Sequence, residues 1–140
     1  MMKALYETTI INTGGRQGEV YSEDNIFFMD VAKPKALGGE ATTATNPEQL
    51  FAAGYSACFN SALELVLEKD KVEVEKSEVK ATVYLIGDKE KGGVKLAAKL
   101  EVDIAGIDQE KKQEYVAKAH DYCPYSKAIK DSIDVEIVVL

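Results

Sequence analysis

The alternation of hydrophobic and polar residues predicts β-strands at both ends of the chain. Ala4–Ile11 alternates and is rich in β-forming residues, and a glycine-rich turn over residues 12–18 joins it to a second strand at Glu19–Ser22. A loop over Pro34–Thr45 follows a third predicted strand at Asn25–Val31. The same signals predict three later strands, at Val72–Ile86, Val94–Ile104 and Val135–Leu140.

A long apolar stretch in the middle of the chain predicts a helix from Pro47 to about Lys69. Asn46 is a favourable N-cap and Pro47 suits the first helical position. Apolar residues recur at helical spacing and small residues lie on more than one side, so we expect this helix to be nearly fully buried. Two shorter helices are predicted over 108–119 and 125–131. This order of elements predicts a single domain over residues 1–140, with an α+β fold and mostly antiparallel pairing.

Composition and charge narrow the class of partner. The chain has 140 residues, 46% of them hydrophobic and 29% charged, and a net charge of −7. This acidity argues against nucleic acid and anionic membranes as partners, because phosphate binding needs clustered Lys and Arg. We expect no membrane-spanning segment and no signal peptide, and therefore a cytoplasmic, reducing location. There, a pair of cysteines is more often catalytic or redox-sensing than structural.

The chain contains two cysteines in unlike surroundings. Cys58 lies in the small-residue apolar helix, and Cys123 precedes Pro124 at the start of a short helix. Two thiols are too few for a disulfide scaffold, but enough for a redox cycle of sulfenic acid followed by disulfide. Burial would raise the pKa of Cys58, whereas a helix start would lower the pKa of Cys123. The residues alone therefore leave open which cysteine attacks first.

Arg16 is the only arginine in the chain, and it lies in the glycine-rich turn. About 4 Å from a thiolate, a guanidinium gives an attraction of about 4 kcal/mol at an effective dielectric constant near 20. Such a neighbour lowers a thiol pKa by roughly 1–3 units. Glu48 either compensates the helix dipole or holds Arg16 in a bidentate pair. A solvated surface arginine is the alternative.

Helical geometry places Glu48 far from Cys58. The two residues are ten positions apart, which corresponds to about 15 Å along a straight helix. One guanidinium cannot reach both residues of the same helix over that length. We therefore hypothesise that Glu48, together with Arg16, serves the Cys58 of a partner subunit.

The other chemically versatile residues give weaker signals. His120 is the only histidine, and its spacing to the cysteines matches no common zinc pattern, so we expect no metal and a structural role for His120. A Cys–His hydrolase dyad lacks an accompanying oxyanion-hole motif. Five aromatic residues could line an apolar tunnel for a substrate or could simply form the core: Phe27, Phe28, Tyr55, Phe59 and Tyr125.

Four motifs, in this order, resemble those of the organic hydroperoxide resistance proteins in the Ohr/OsmC superfamily. The resemblance covers essentially the whole chain and favours the organic hydroperoxide branch. The motifs are GGRQG at 14–18, NPEQL at 46–50, ACF at 57–59 and HDYCPYS at 120–126.

The resemblance implies a fold and a reaction. The fold would be an OsmC-like intertwined homodimer, its mostly antiparallel sheet wrapped around central long helices and its active sites at the subunit interface. Cys58 would be the peroxidatic cysteine that attacks an alkyl or fatty-acid hydroperoxide, and Cys123 would resolve its sulfenic acid into a disulfide. Arg16 and Glu48 would activate the thiolate and orient the peroxide.

The same resemblance implies no bound cofactor. An external dithiol, dihydrolipoamide or a lipoylated protein, would reduce the disulfide. The alternative from another class is a non-enzymatic dimeric module that senses redox state or binds an apolar ligand. Turnover of an organic hydroperoxide with a dithiol would separate the two hypotheses.

Overall fold

The structure is a computed structural model, and it describes residues 2–140. The chain forms two compact units, one ending at Leu50 and the other running from Phe51 to Leu140. Strands and helices follow one another as the sequence predicts, so the α+β class is confirmed. The single domain over residues 1–140 stays a prediction.

The first unit contains a three-stranded antiparallel sheet in the order β1-β2-β3. Its strands are β1 (Ile11–Thr13), β2 (Gly18–Tyr21) and β3 (Phe28–Val31). At the end of β3, the backbone of Val31 forms a parallel bridge with Thr45. This bridge anchors the end of a loop that contains a short 3-10 helix over Lys35–Leu37.

The strands of the first unit are shorter than the sequence predicts. Residues 4–10 pair with no strand in the described part of the chain, and Leu5 and Tyr6 are 104% and 82% exposed. Likewise β3 begins at Phe28 rather than Asn25, and Ile26 is exposed. Hydrophobic alternation marks a segment suited to a sheet, but a strand also needs a neighbour for its backbone groups, and this unit supplies none here.

The second unit contains the sheet β4-β5-β6. β4 (Lys76–Gly87) and β5 (Val94–Ala105) form a long antiparallel hairpin, and β6 (Val135–Val139) lies parallel to β5. Every second residue of β5 is buried, at Ala98, Leu100, Val102 and Ile104. That alternation gives the sheet one core face. The mostly antiparallel pairing predicted from the sequence is thereby confirmed.

Three helices accompany this sheet: α1 (Pro47–Lys69), α2 (Gln109–Tyr122) and α3 (Pro124–Ile129). The predicted start of α1 is confirmed, because the Asn46 side chain accepts a hydrogen bond from the Gln49 N–H at 2.8 Å. Asp108 caps α2 in the same way, with the Lys111 N–H at 2.8 Å. Both caps satisfy backbone donors that a helix start leaves unpaired.

Near-complete burial of α1 was a wrong prediction. Only five of its 23 residues are buried: Tyr55, Phe59, Ala62, Leu63 and Leu67. These side chains join the β5 and α2 residues in one core cluster. The exposed residues include Ala53, Ala57, Ser61 and Leu65, four positions apart on one side of the helix. A single chain therefore covers only part of an apolar helix.

By length and composition, α1 is long and apolar enough to cross a membrane. The prediction that the chain contains no such segment is therefore corrected. The reason is that Leu, Ala and Phe make up much of the helix, and they raise its hydropathy whether they face lipid or a protein core. Core helices pass the same test. Tyr55, Phe59 and Leu63 pack in the core of the second unit, so α1 has the contacts of a core helix.

Candidate active site

The two thiols lie side by side in the second unit. Cys58 is half-buried on α1, and Cys123 is fully buried at the junction of α2 and α3. Cys123 has an extended backbone (φ −63°, ψ 123°) that ends α2 and precedes Pro124, the first residue of α3. The two thiols are free, and the pKa of Cys58 responds to the Cys123 side chain and to the Tyr125 backbone. The junction of α2 and α3 therefore lies close to Cys58.

Burial raises the pKa of the Cys58 thiol, and this is the largest influence on it. The Tyr125 N–H acts in the opposite direction because it stabilises the thiolate, while the neighbouring Cys123 raises the pKa further. Within this unit, the protonated thiol is therefore favoured. A reactive Cys58 needs a cation from elsewhere.

Three aromatic rings from the segments that carry the thiols pack against one another. The Tyr55 and Tyr125 rings stack with centroids 5.9 Å apart, and Phe51 meets both edge-on at 6.2 Å. Gly54 permits this arrangement, since a Cβ at that position would collide with the Tyr125 hydroxyl. Of the predicted pocket residues, Tyr55 and Phe59 are fully buried core residues, whereas Tyr125 is 37% exposed.

A chain of three hydrogen-bonded side chains connects the elements that carry the thiols. The buried Ser126 hydroxyl lies 2.8 Å from the Tyr55 hydroxyl of α1 and 2.9 Å from Nδ1 of His120 on α2. Burial raises the pKa of Tyr55, and the hydrogen bond from Ser126 partly opposes that shift. Sequence reasoning assigned no site role to Ser126 and only a structural one to His120. The one signal for Ser126 was its place in the motif HDYCPYS.

The first unit brings Arg16 and Glu48 together as a bidentate ion pair. Arg16 donates from Nη1 to Oε2 at 2.9 Å and from Nη2 to Oε1 at 2.5 Å. These hydrogen bonds lower the pKa of Glu48 and raise that of Arg16. The Arg16 side chain remains 33% exposed and Glu48 16% exposed. The guanidinium is thus oriented by a carboxylate and still has free N–H donors.

The turn that carries Arg16 is built around glycines and one asparagine. Gly14 and Gly15 adopt positive φ angles of 83° and 61°, which other residues rarely adopt. The Asn12 side chain accepts from the Gly15 N–H and donates to the Gly15 and Glu19 carbonyls, at 3.0–3.1 Å. Gln17 accepts from the Lys33 N–H at 2.9 Å. Both flanks of the turn are therefore held in place.

The remaining predicted residues are placed as follows. Phe27 belongs to the first unit, just before β3, and is 39% exposed. Among residues 2–140, no three His, Cys, Asp or Glu side chains cluster as metal ligands would. The structure thus brings together Cys58, Cys123, Tyr125, Tyr55 and Phe59 in one unit, and Arg16 with Glu48 in the other. The roles assigned to these residues stay predictions.

Comparison with known proteins gives consistent matches. A family model described as OsmC-like protein matches residues 38–138. An organic hydroperoxide resistance protein-like 2 of Staphylococcus saprophyticus is 58% identical over 139 residues, covering 99% of this chain and 98% of that protein. A crystal structure of an organic hydroperoxide resistance protein from Legionella pneumophila has a TM-score of 0.92 at 46% identity and covers 98% of both chains. That of OhrB from Bacillus subtilis has a TM-score of 0.88 at 42% identity and covers 98% of this chain and all of that one.

Proposed function

The chain belongs to the family of OsmC-like proteins, and from this premise we propose that it is a thiol-dependent peroxidase that reduces organic hydroperoxides. The observation that carries the proposal is the neighbouring pair of free thiols, Cys58 on α1 and Cys123 at the junction of α2 and α3. Relatives that cover nearly the whole chain are named for resistance to organic hydroperoxides. The proposed role is therefore detoxification of such peroxides.

In the first step, the Cys58 thiolate attacks the distal oxygen of the hydroperoxide. A sulfur–oxygen bond forms, the oxygen–oxygen bond breaks, and the leaving alkoxide takes a proton to become an alcohol. The sulfur is oxidised to a sulfenic acid. The Tyr125 N–H already stabilises negative charge on Cys58, and a guanidinium would lower the thiol pKa further.

In the second step, the Cys123 thiol attacks the sulfenic sulfur of Cys58 and water leaves. The resulting disulfide is reduced by exchange with a dithiol, whose own sulfurs become oxidised. We propose dihydrolipoamide or a lipoylated protein as that dithiol, with no bound cofactor. Such a cycle suits the reducing cytoplasm, where the pair returns to free thiols.

We further propose that the active protein is an intertwined homodimer whose sites combine two subunits. The exposed small-residue stripe Ala53–Ala57–Ser61 on α1 permits close packing of a second helix. The exposed apolar residues Leu5 and Tyr6 form a segment without a strand partner in its own unit. In the dimer, Arg16 and Glu48 of one subunit would activate Cys58 of the other.

Preference for organic peroxides is proposed from the aromatic surroundings of the thiols. The partly exposed ring of Tyr125 and the half-buried ring of Phe51 pack edge to face and offer apolar surface on the segments that carry the thiols. An alkyl group gains free energy from such a surface, whereas hydrogen peroxide has none to bury. In the dimer, the exposed Phe27 of one subunit would extend the apolar surface beside the thiols of the other.

A peroxidase assay tests the proposal. Cumene hydroperoxide, tert-butyl hydroperoxide and hydrogen peroxide are compared with dihydrolipoamide as reductant. We expect kcat/KM at least about ten-fold higher for the organic peroxides, and loss of turnover in Cys58→Ser. Cys123→Ser should still consume one equivalent of peroxide and then stop. Full turnover by Cys58→Ser would refute the assignment of Cys58.

A further inference from the structure

The hydroxyl of Ser126 joins all three helices of the second unit near the thiols. Ser126 lies in the first turn of α3, two residues after Pro124, and is 0% exposed. Its partners are the Tyr55 hydroxyl on α1 at 2.8 Å and His120 Nδ1 on α2 at 2.9 Å. The Ser126 hydroxyl has one hydrogen, so it donates to one of these partners and accepts from the other. The hydrogen bonds therefore point either from Tyr55 through Ser126 to His120 or in the reverse direction.

The same short segment carries the groups that face Cys58. Cys123 precedes Pro124 at the start of α3, and the backbone of Tyr125 lowers the pKa of Cys58. Helix α3 has only six residues and its N-cap residue, Cys123, makes no side-chain capping bond. So short a helix is marginal by itself, and its position depends on its tertiary contacts. Ser126 supplies two of these contacts, one to each neighbouring helix.

We infer that Tyr55, Ser126 and His120 are positioning residues that hold the Cys123 segment against α1 during disulfide formation. This inference rests on the proposed function. The peroxide step takes place at the Cys58 sulfur on α1 and forms no bond to Cys123. The second step requires the Cys123 sulfur to approach the Cys58 sulfur to a bonding distance of about 2 Å. The hydrogen-bond chain limits the segment to positions from which that approach succeeds.

The chemical step itself is the one proposed above. The Cys123 sulfur forms a bond to the Cys58 sulfur, the bond from Cys58 to its hydroxyl breaks, and the hydroxyl leaves as water with the proton of the Cys123 thiol. None of the three positioning residues gains or loses an atom. Their contribution is geometric, as expected when a reaction depends on the mutual orientation of two protein groups.

The two steps are separated by rapid mixing of the full-length reduced protein with one equivalent of cumene hydroperoxide. Samples quenched over time with dimedone report the sulfenic acid, and mass spectrometry of alkylated samples reports the disulfide. In Tyr55→Phe and Ser126→Ala, we expect the disulfide to form at least about five-fold more slowly, the effect of about one lost hydrogen bond. In Ser126→Ala, sulfenic acid should form within about three-fold of the wild-type rate and then accumulate.

Matched variants separate positioning from general loss of stability. Tyr115→Phe removes a tyrosine hydroxyl from the same unit, where it donates to Asp70 at 2.8 Å. Its disulfide rate should equal that of the wild type even if it unfolds at a lower temperature. His120→Asn keeps a polar atom close to the position of Nδ1 and should retain most of the rate, whereas His120→Leu should be slow.

The variants should also show coupling. Tyr55→Phe and Ser126→Ala remove the same hydrogen bond, so the double variant should be little slower than Ser126→Ala alone. Unchanged disulfide rates in Tyr55→Phe and Ser126→Ala would overturn the inference, and so would equal slowing in Tyr115→Phe. If wild-type protein forms neither a dimedone adduct nor a disulfide, the proposed function fails and the inference with it.

Discussion

The Arg16–Glu48 pair makes stability depend on pH. Hydrogen bonding from Arg16 holds the pKa of Glu48 below its usual value of 4.5. A carboxyl with a lower pKa in the folded protein stabilises it fully above the unfolded pKa, and loses that effect as the pH falls through the folded value. We expect Glu48→Gln to lower the free energy of unfolding by about 1 kcal/mol at about pH 7 and by much less at about pH 3.

Urea unfolding of both proteins at the two pH values measures this difference. The exposed pair Lys76–Glu78 offers a control, because Glu78→Gln should change stability little at either pH. A Glu48→Gln effect that grows as the pH falls would contradict the prediction.

Gly54 allows the Tyr125 hydroxyl to pack closely against α1. A Cβ at position 54 would overlap the Tyr125 hydroxyl, so Gly54→Ala forces the ring to move and costs packing energy of about 1–3 kcal/mol. Better helix propensity returns up to about 1 kcal/mol. We therefore expect a net loss of stability from Gly54→Ala in the wild-type background.

The double-mutant cycle with Tyr125→Phe tests this explanation. Without the Tyr125 hydroxyl the overlap is smaller, so Gly54→Ala should cost less in Tyr125→Phe than in the wild type. Thermal unfolding of the four proteins gives the coupling. An equal cost in both backgrounds would show that the clash is not the cause.

Some individual site residues can be predicted from the sequence and others cannot. Arg16 is the only arginine and the chain has only two cysteines, so composition alone singles out these residues. Ser126 and Tyr55 are 71 positions apart, and a single hydrogen bond between distant polar residues leaves no periodic pattern in a sequence. Their contact emerges only when α3 packs against α1.

Helix α1 depends on its N-terminal cap. The Asn46 side chain accepts the Gln49 N–H at 2.8 Å, which satisfies a donor that would otherwise lack a partner. We expect Asn46→Ala to lower the free energy of unfolding by about 1 kcal/mol and Asn46→Asp to have little effect. Urea unfolding at neutral pH measures both. Equal losses in the two variants would show that the cap hydrogen bond is not what matters.

Elements with strong local signals were predicted well, and those that depend on distant partners were not. The bounds of α1 follow from Asn46, Pro47 and an apolar period, all of which are local. The segment 4–10 has equally clear alternation but no strand beside it in its own unit. Pairing is a property of two segments, so alternation in one of them is insufficient.

At the scale of the whole molecule, the distribution of apolar surface is the main departure from expectation. The sequence predicts a buried α1, yet the residues four apart from Ala53 to Leu65 are exposed, as are Leu5 and Tyr6. Exposed contiguous apolar surface usually marks an interaction site. A single chain does not provide the burial that the sequence predicts, and the proposed dimer, in which a second chain covers this surface, would account for it.

If each active site combines residues of two subunits, two inactive variants can restore activity when they are mixed. A site formed within one chain would not allow this. Arg16→Ala removes the activating guanidinium and Cys58→Ser removes the nucleophile, so each variant alone should be inactive in the peroxidase assay. In a mixed dimer, the intact Cys58 of the first variant faces the intact Arg16 of the second. Denaturing and refolding an equal mixture should therefore restore activity to about one quarter of the wild-type value, because about half the dimers are mixed and each has one complete site.

The control is a mixture of Arg16→Ala with Glu48→Ala. These variants place their defects in the same half of the shared site, so their mixed dimer has no complete Arg16–Glu48 pair and should stay as inactive as its parents. Size-exclusion chromatography of every sample should give twice the 15.3 kDa mass of the chain. If mixing Arg16→Ala with Cys58→Ser restores nothing while the dimer forms, then Arg16 acts on the Cys58 of its own chain, and α1 must bend or the turn must move to allow it.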